Sequence, residues 1–222
     1  MRIVIAGGHG KIALLLSRQL ADAGHTPVGL IRNPRHIDDL RAAGATPIVL
    51  DLEQSDVDDV ATVLISADAV VFAAGAGNGS GPERKLTVDR DGAILLADAA
   101  VEAGVRRMIV VSAMGADGFD ASSDDVFQVY LRAKSEADAA VREQNLDWTI
   151  VRPGGLTDDP PTGLVHVGDT IDRGSIPRSD VAAIVARAIE HDLAIGAQFE
   201  VVTGGVPLDD ALRSLSAVDA AE

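Results

Sequence analysis

The sequence predicts an α/β fold with a doubly wound parallel sheet, helices on both faces and a small C-terminal substrate-side lobe. Short apolar runs that fit strands alternate with helical patterns along most of the 222 residues. Parallel strands need crossover connections, usually helices, so this alternation indicates a parallel sheet rather than hairpins. The run 69–74 is apolar throughout, as expected for a strand that is buried on both faces. The chain length suits one domain, residues 1–222.

Glycine, proline and polar clusters separate the predicted elements in the first half of the chain. Apolar runs predict strands at 2–6, 27–31, 47–50, 69–74 and 107–112. Helical patterns between them predict helices at 14–20, 34–43, 55–65 and 87–103. Pro34 begins the second of these helices and Gly44 ends it, whereas the glycine-rich stretch 75–82 is expected to be a loop.

The second half of the chain first continues this pattern and then changes. A long helix is predicted at 126–144 and a strand at 148–152. Pro160, Pro161 and several glycines interrupt the next stretch, and the elements predicted beyond them are a strand at 164–167, a helix at 179–190 and a strand at 198–203. We expect residues 153–222 to form a small lobe that closes over the sheet edge, with a frayed end from residue 216.

A glycine turn follows the first predicted strand. Gly7, Gly10 and Ala13 form the pattern G-x-x-G-x-x-A at the start of the first helix. Glycines let a backbone approach a pyrophosphate closely, and a helix N-terminus offers free N–H groups and a positive dipole end. The pattern favours a Rossmann-type dinucleotide site, although a tight connection between strand and helix explains the same glycines. The cofactor contacts expected after the first and fourth strands are Gly7, Gly10, Lys11, Ile12, Ala73, Ala74 and Gly75.

The end of the second predicted strand distinguishes the two nicotinamide cofactors. An NAD-specific site places Asp or Glu there for the ribose 2′-hydroxyl, but this chain has R-N-P-R at 32–35. A guanidinium pairs with a 2′-phosphate, so Arg32, helped by Arg35, favours NADP, with NAD and a merely exposed arginine as the alternatives. Asp51 and Leu52 close the third strand. We expect Asp51 either to bind the adenine amino group or to cap the following helix.

Tyr130, Lys134 and Ser112 are the catalytic candidates. Tyr130 is the only tyrosine in the chain, and Lys134 lies four residues later, on the same face of the predicted helix. A nearby ammonium lowers the pKa of a phenol, which can then exchange a proton with a carbonyl or an alcohol. Ser112 ends the fifth strand, beside the ligand crevice of such sheets, and is placed to hydrogen-bond the same oxygen. The alternative is a core tyrosine and a surface pair between Lys134 and Asp138.

Composition disfavours several other functions. The formal net charge of −15 argues against nucleic acid and anionic membranes as partners. The absence of cysteine excludes disulfides and thiolate chemistry. No apolar run approaches the roughly 18 residues of a membrane span, so we expect a cytoplasmic protein. We also expect a monomer or weak homodimer that acts on a small-molecule substrate. Five histidines lack metal-ligand spacing, so no metal site is predicted from His9, His25, His36, His166 and His191.

Several segments together resemble the atypical short-chain dehydrogenase/reductase family. The resemblance is to its NAD(P)H-binding branch, the NmrA-like and sugar epimerase-related proteins, and the chain is also similar to biliverdin/flavin reductase. It covers nearly the whole chain and is carried by residues 7–13, 31–34, 88–92, 103–107, 111–117, 130–134, 146–156 and 176–182.

The resemblance implies an NADP(H)-dependent oxidoreductase that acts on a small carbonyl, quinone or flavin-like acceptor. In reductases of the wider family, a Tyr-x-x-x-Lys pair supplies the proton donor and a lysine that holds the nicotinamide ribose. These roles fall on Tyr130 and Lys134, with Ser112 as the third member. Proteins of the NmrA-like branch often carry a degenerate pair, and some sense the cofactor without catalysis.

The resemblance also adds a cofactor contact and leaves two other functions open. The segment 153–156 matches one that lies beside the nicotinamide in relatives, which assigns Pro153, Gly155 and Leu156 to the cofactor. Their alternative role is to end the strand. The other functions are a redox-sensing regulator that binds NADP(H) without catalysis, and a nucleotide-sugar epimerase or dehydratase that keeps NAD tightly bound. The short C-terminal region argues against the second.

Overall fold

The computed structural model describes residues 1–77 and 79–216. The first six strands are β1 (Arg2–Ala6), β2 (Thr26–Ile31), β3 (Thr46–Val49), β4 (Ala69–Phe72), β5 (Arg107–Val111) and β6 (Asp147–Pro153). The helices that connect them are α1 (Lys11–Asp22), α2 (Ile37–Ala42), α3 (Val57–Leu64), α4 (Pro82–Arg84), α5 (Gly92–Glu102) and α6 (Val126–Glu143). The predicted alternation of strands and helices is confirmed for this part of the chain.

The remaining elements are shorter. They are β7 (Gly155–Thr157), β8 (Leu164–Gly168), β9 (Ser175–Pro177), α7 (Arg178–Glu190), β10 (Gln198–Thr203), β11 (Val206–Pro207) and α8 (Leu208–Ser216). The sequence predicted β8, α7 and β10 and missed β7, β9 and β11, because strands of two or three residues show no periodicity. It also missed helix α8, which has nine residues. The frayed end was expected from residue 216, which instead ends α8; the rest of that segment, 217–222, lies outside the described part.

The strand order creates the crevice that positions the site. Nine strands form one sheet in the order β11-β8-β10-β6-β5-β4-β1-β2-β3. Strands β1 to β6 and β10 pair in parallel, and β8 pairs antiparallel with β10 and β11. The order reverses at β1, whose neighbours are β2 and β4, and ligands of doubly wound sheets bind at such a point, beyond the carboxyl ends of the strands. The predicted Rossmann-type fold class is confirmed.

Strand β1 shows how the sheet is covered on both faces. Ile3 and Ile5 belong to a buried cluster with apolar residues of α1, α7 and α8. Val4 and Ala6 belong to a second cluster with residues of α3, α5 and α6. Because successive residues of a strand point to opposite faces, the two clusters are the two layers of helix packing.

A stretch of π-helix, Lys85–Asp91, leads into α5. The sequence predicted regular helix from residue 87, since a π-helical turn leaves no separate mark in the apolar pattern. The wider turn contains Asp89, whose side chain is buried. A buried carboxylate needs a partner, and Asp89 finds it in the candidate site.

Candidate functional site

The glycine turn packs the end of β1 against the residues that follow β4. Gly7 has a φ of +80°, and a Cβ atom there would lie 2.5 Å from the Ala74 Cα atom. The Gly10 N–H donates to the Gly7 carbonyl at 2.8 Å. Gly10 precedes α1 with no side chain to cap its first turn, so the first N–H groups of α1 are open to a ligand. The two glycines allow the turn to pack closely against the residues after β4, and the open N–H groups of α1 beside it suit a diphosphate.

The first cavity, of about 250 Å³, lies at the carboxyl ends of β1, β2 and β3. It brings together most of the predicted cofactor contacts, whereas Arg35 is exposed and does not line it. The lining residues are Gly7, His9, Gly10, Leu30, Ile31, Arg32, His36, Leu50, Asp51, Leu52, Glu53, Ala73, Ala74, Gly75, Arg84 and Val88.

Glu53 organises the charges of the first cavity. Its carboxylate accepts a hydrogen bond from Arg84 at 2.6 Å and one from the Thr87 hydroxyl at 2.7 Å. Arg32 Nη1 lies 3.4 Å from the same carboxylate. The Arg84 guanidinium holds the pKa of Glu53 below its ordinary value. Sequence reasoning missed Glu53 and Arg84, because contacts across 31 residues leave no local signal.

Asp51 does not cap the following helix. Its side chain accepts from the Glu53 N–H at 3.1 Å, inside the turn after β3. Asp56 caps α3 instead, in a capping box with Asp59. The interpretation of Asp51 as a helix cap is therefore wrong. Asp51 lines the first cavity, where its contact with the adenine amino group was predicted.

The second cavity, of about 810 Å³, adjoins the first at Ala73, Ala74 and Gly75. It contains the three catalytic candidates together with Ile12 and Leu156. Pro153 and Gly155 do not line either cavity. The Pro153 carbonyl accepts from the Met114 N–H at 3.0 Å and the Gly155 N–H donates to Gly174 at 2.8 Å, so both stay in the strand framework. The other lining residues are Gly77, Gly79, Ser80, Lys85, Asp89, Val111, Asp125, Val126, Phe127 and Arg178.

Lys134 is buried and its charge is shared with Asp89. Its Nζ atom donates to the Val111 carbonyl at 3.1 Å and lies 3.6 Å from Asp89 Oδ1. The same Nζ atom lies 5.9 Å from the centre of the Tyr130 ring. With a side chain only 4% exposed, Lys134 does not form the surface pair that was the alternative. The helical spacing therefore brings Tyr130 and Lys134 into one cavity wall.

The expected lowering of the Tyr130 pKa is wrong. Burial raises the pKa of the phenol, and the carboxylates of Asp89 and Asp138 raise it further. The Lys134 ammonium does not reverse this effect, because Asp89 lies closer to it than the tyrosine ring does. Tyr130 is therefore a neutral phenol at neutral pH, with a proton to donate.

Ser112 is tied to a buried ionic network behind the second cavity. Its hydroxyl donates to Asp138 Oδ2 at 2.7 Å, and Arg152 Nη2 lies 2.8 Å from the same oxygen. Arg152 also contacts Asp117 at 2.6 Å. Burial raises the pKa of Asp138, whereas the Arg152 hydrogen bond lowers the pKa of Asp117 to about 2. The network holds Ser112 at the cavity wall, with its proton directed toward Asp138.

Lys11 and Arg178 place two positive charges beside the start of α1. Lys11 Nζ lies 2.5 Å from Asp158 and Arg178 Nη1 lies 2.7 Å from it. The Lys11 hydrogen bond lowers the pKa of Asp158. Asp158 is exposed, so both cations can exchange it for the phosphates of a ligand. Of these three residues, sequence reasoning named only Lys11.

The fold and the glycine cradle define a dinucleotide-binding α/β protein. The profile of the NAD(P)H-binding family matches residues 7–192. The chain belongs to this NAD(P)H-binding family, and its cofactor is NAD(P).

Relatives of similar length share the whole fold. A Bacillus subtilis protein named as an uncharacterised sugar epimerase, YhfK, is 33% identical over 97% of this chain and 100% of its own. A solved structure from Bacillus halodurans, assigned provisionally as an NAD-dependent epimerase/dehydratase, is 35% identical with a TM-score of 0.88, covering 97% of this chain and 100% of its own. The oxidoreductase ylbE from Lactococcus lactis is 27% identical with a TM-score of 0.84, covering 97% and 96%.

Within residues 1–77 and 79–216, no group of three or more histidine, aspartate or glutamate side chains is arranged to hold a metal ion. In the same residues, no helix combines the length and the apolar character that crossing a membrane requires.

Proposed function

We propose that the protein is an NADP(H)-dependent oxidoreductase that reduces a small carbonyl, quinone or flavin-like acceptor. The observation that carries the proposal is the junction of the two cavities at Ala73, Ala74 and Gly75. A dinucleotide that crosses the glycine turn extends from a cavity with Arg32 to a cavity with Tyr130 and Lys134. The cofactor, when bound, supplies a hydride to the acceptor.

The preference for NADP rests on the first cavity. Arg32 follows β2, at the position where a dinucleotide presents its ribose 2′ group. Its guanidinium is about half exposed and lies 3.4 Å from Glu53, a distance at which the pair is weak enough to be exchanged for a phosphate.

The proton for the reduced acceptor is assigned to Tyr130. When a carbonyl carbon gains a hydride, its oxygen needs one proton for the product to become an alcohol. Tyr130 is protonated at neutral pH and lines the second cavity, so it has a proton to donate there, and its raised pKa means that only a strongly basic oxygen, such as the one that hydride addition leaves, takes this proton. Lys134 then faces a phenolate and stabilises it from the same helix. Lys134 also lies where a ribose hydroxyl can be held.

The apolar wall of the second cavity indicates the chemical class of the acceptor. Val126, Phe127 and Leu156 line it and are partly exposed to solvent. The Phe127 and Tyr130 ring centroids are 6.0 Å apart. Exposed aromatic and aliphatic side chains at a cavity mouth suit a flat conjugated acceptor.

Part of the region after β6 is assigned to the substrate side. Leu156 on β7 and Arg178 at the start of α7 reach the second cavity. Leu156 belongs to the two-stranded sheet of β7 and β9, which is separate from the main sheet, and Arg178 directly follows β9. On this basis we assign the sheet of β7 and β9 and the start of α7 to the substrate side of one NADP(H)-binding domain, whereas β8, β10 and β11, which also lie within the predicted lobe 153–222, belong to the main sheet.

An assay of NADPH oxidation with quinones, aldehydes and flavins tests the proposal. We expect Tyr130→Phe to slow turnover by roughly 10² to 10⁴, the usual contribution of a positioned general acid, with NADPH affinity changed only a few-fold. Phe127→Leu is the matched control, because it alters the same wall without removing a proton donor and should change KM more than kcat.

Two outcomes would replace the proposal. A parent protein that is inactive with every acceptor but binds NADPH would be a cofactor-sensing regulator. Conversion of a nucleotide sugar with NAD that stays bound through purification would make it an epimerase or dehydratase; the name of the Bacillus subtilis relative contains the words sugar epimerase. Full turnover by Tyr130→Phe would remove the tyrosine from the reaction and leave solvent or the acceptor as the proton source.

A further inference from the structure

Two histidine rings are stacked at the edge of the first cavity. His9 lies in the glycine turn, and His36 ends the short 3₁₀ turn Pro34–His36. Their ring centroids are 3.6 Å apart and their planes differ by 10°. Both side chains line the cavity together with Arg32, beside the position of the ribose 2′ group. Because the histidines come from different connections, the fold itself creates this pair.

The two rings differ in their hydrogen bonds. His9 Nε2 lies 2.8 Å from Asp39 Oδ2, a contact that orients the His9 ring. For the ring of His36, the part of the chain that the structure describes provides no hydrogen-bond partner. The nitrogens of His36 are therefore available to a ligand in the cavity, with the oriented His9 ring behind them.

The other charged groups around the pair supply no excess of positive charge. Arg32 and Arg84 both pair with Glu53, and Asp51 lies on the same wall. Two arginines thus face two carboxylates. A phosphate monoester carries nearly two negative charges at neutral pH, which this wall does not balance while the histidines are neutral. The charged groups of the elements packed around the pair are Arg32, Arg35, Asp38, Asp39, Arg41, Asp51, Glu53 and Arg84, four of each sign.

We infer that the stacked His9–His36 pair determines specificity for the 2′-phosphate by taking up protons when the phosphate binds, so that discrimination between NADP and NAD grows as the pH falls. The inference rests on the proposed use of NADP(H). Histidine changes its charge between about pH 5 and 8. Two stacked imidazolium rings repel each other, whereas phosphate oxygens beside them stabilise both charges, which links binding to protonation. NAD has no 2′-phosphate and therefore no such linkage.

Titration calorimetry with the oxidised cofactors at about pH 8.5 and about pH 6 measures this linkage, since histidine titrates between these values. In the parent protein, we expect the affinity ratio of NADP⁺ to NAD⁺ to rise about tenfold at the lower pH, the effect of one bound proton over one pH unit. In His36→Gln, and in His9→Asn, the ratio should stay constant or fall, because the phosphate itself gains a proton near pH 6.

Two controls separate this effect from changes in folding or net charge. His191→Gln removes an exposed histidine that follows α7, outside the cavity, and should behave as the parent does. Titrations in two buffers of different ionisation enthalpy count the protons that are taken up when the cofactor binds. We expect the parent protein to take up protons with NADP⁺ and none with NAD⁺. In His36→Gln, the uptake with NADP⁺ should be lost. Circular dichroism at both pH values verifies the fold of each variant.

The outcomes distinguish this inference from the proposed function. A parent that prefers NADP⁺ by the same factor at both pH values overturns the role of the histidines and leaves the use of NADP(H) in place. If the affinity ratio of NADP⁺ to NAD⁺ still rises at low pH in both histidine variants, the role of the histidines is likewise overturned and the use of NADP(H) stays in place. Equal affinities for NADP⁺ and NAD⁺ at both pH values overturn the inference and the proposed cofactor preference together.

Discussion

The two cavities that meet after β4 are built in different ways. The first lies on the turns that follow β1, β2 and β3, and its charged side chains, such as Arg32, are exposed enough to exchange partners. The second is assembled from parts of the chain that are far apart, and its charged pair, Lys134 with Asp89, is buried. Under the proposed function, recognition of the cofactor would use replaceable surface charges, whereas proton transfer would depend on charges fixed by packing.

The buried side is costly to change one residue at a time. Removing one partner of a buried ionic pair leaves an uncompensated charge, while an exposed pair contributes little on its own. Variants in the first cavity should therefore alter binding without altering stability. Variants of the buried ionic groups behind the second cavity should change the pKa values of neighbouring groups and should also change the free energy of unfolding.

The largest effect is expected at the turn that serves both cavities. Gly10→Val should weaken NADPH binding more than about a hundredfold, because a side chain there occupies the space of the pyrophosphate. The fold should persist, since Gly10 has a φ of −62°, which any residue adopts, and the Gly7 carbonyl oxygen, 3.2 Å from the added Cβ atom, needs to move by only a few tenths of an ångström. Fluorescence titration with NADPH measures the loss.

The control for this variant is Gly205→Val. A Cβ atom on Gly205 meets no other atom within 4 Å, and the residue lies outside both cavities. It should bind NADPH as the parent does. Normal binding by a folded Gly10→Val protein would contradict the role of the turn and reduce it to a connection between β1 and α1.

The next effect is confined to the first cavity. Arg32→Ala should weaken NADPH binding about ten- to a hundredfold, because a charge-assisted contact of about 1.5 to 3 kcal/mol is lost, while NADH binding stays nearly unchanged. Calorimetry with both cofactors supplies the measurement. Arg41→Ala is the control, since Arg41 is an exposed arginine on α2 that does not line the cavity. Equal losses for NADPH and NADH would exclude a specific phosphate contact.

The comparison of the cavities also shows which features the sequence could predict. The glycine turn was predictable because Gly7 and Gly10 are required locally, by the backbone angle and the space between β1 and β4. Strand β10 was predicted with its observed bounds, Gln198–Thr203, because apolar runs set strands directly. By contrast, the pair of Glu53 and Arg84 joins two separate connections and shows no pattern in the chain.

The error in the Tyr130 pKa has a related cause. Helical spacing correctly placed Lys134 beside the tyrosine, and from that distance alone a lowered pKa follows. The pKa also depends on burial and on Asp89, which a π-helical turn of another segment brings to the lysine. Neither the burial nor the turn is visible in the local sequence.

The sharpest test of the second cavity uses the only tyrosine in the chain. In the parent protein, Tyr130 should remain protonated at about pH 10, where an ordinary tyrosine is half ionised. Asp89→Asn should raise the ionisation constant of the phenol about tenfold, because it removes a negative charge and leaves the Lys134 ammonium unshared. Phenolate absorbance records the titration, and fluorescence of the single tryptophan, Trp148, monitors the fold.

Glu83→Gln is the control for this titration. It removes a carboxylate near the start of the same helical segment, outside both cavities. The titration curve of Tyr130 should not move in this variant. Identical curves for the parent and Asp89→Asn would mean that burial and Asp138 set the pKa of Tyr130 and that the Asp89 carboxylate does not.

The smallest effect concerns the network behind Ser112. The Arg152 hydrogen bond lowers the pKa of Asp117 to about 2, so the folded state holds this carboxylate ionised more strongly than the unfolded chain does. A lowered pKa stabilises the fold above the unfolded value, and the contribution disappears as the pH falls through the folded value. Asp117→Asn should therefore reduce the free energy of unfolding at neutral pH by about 1 kcal/mol or less, since the side chain is 56% exposed and water screens the pair.

The pH dependence makes this last prediction specific. The difference in the free energy of unfolding between the parent and Asp117→Asn should shrink as the pH falls from about 4 to about 2, because protonated aspartate then resembles asparagine. Urea unfolding at a series of pH values measures it. Asp22→Asn provides the comparison, because Asp22 is exposed and forms no ion pair within the described ranges 1–77 and 79–216. A difference that stays constant down to pH 2 would show that Arg152 is held by Asp138 alone.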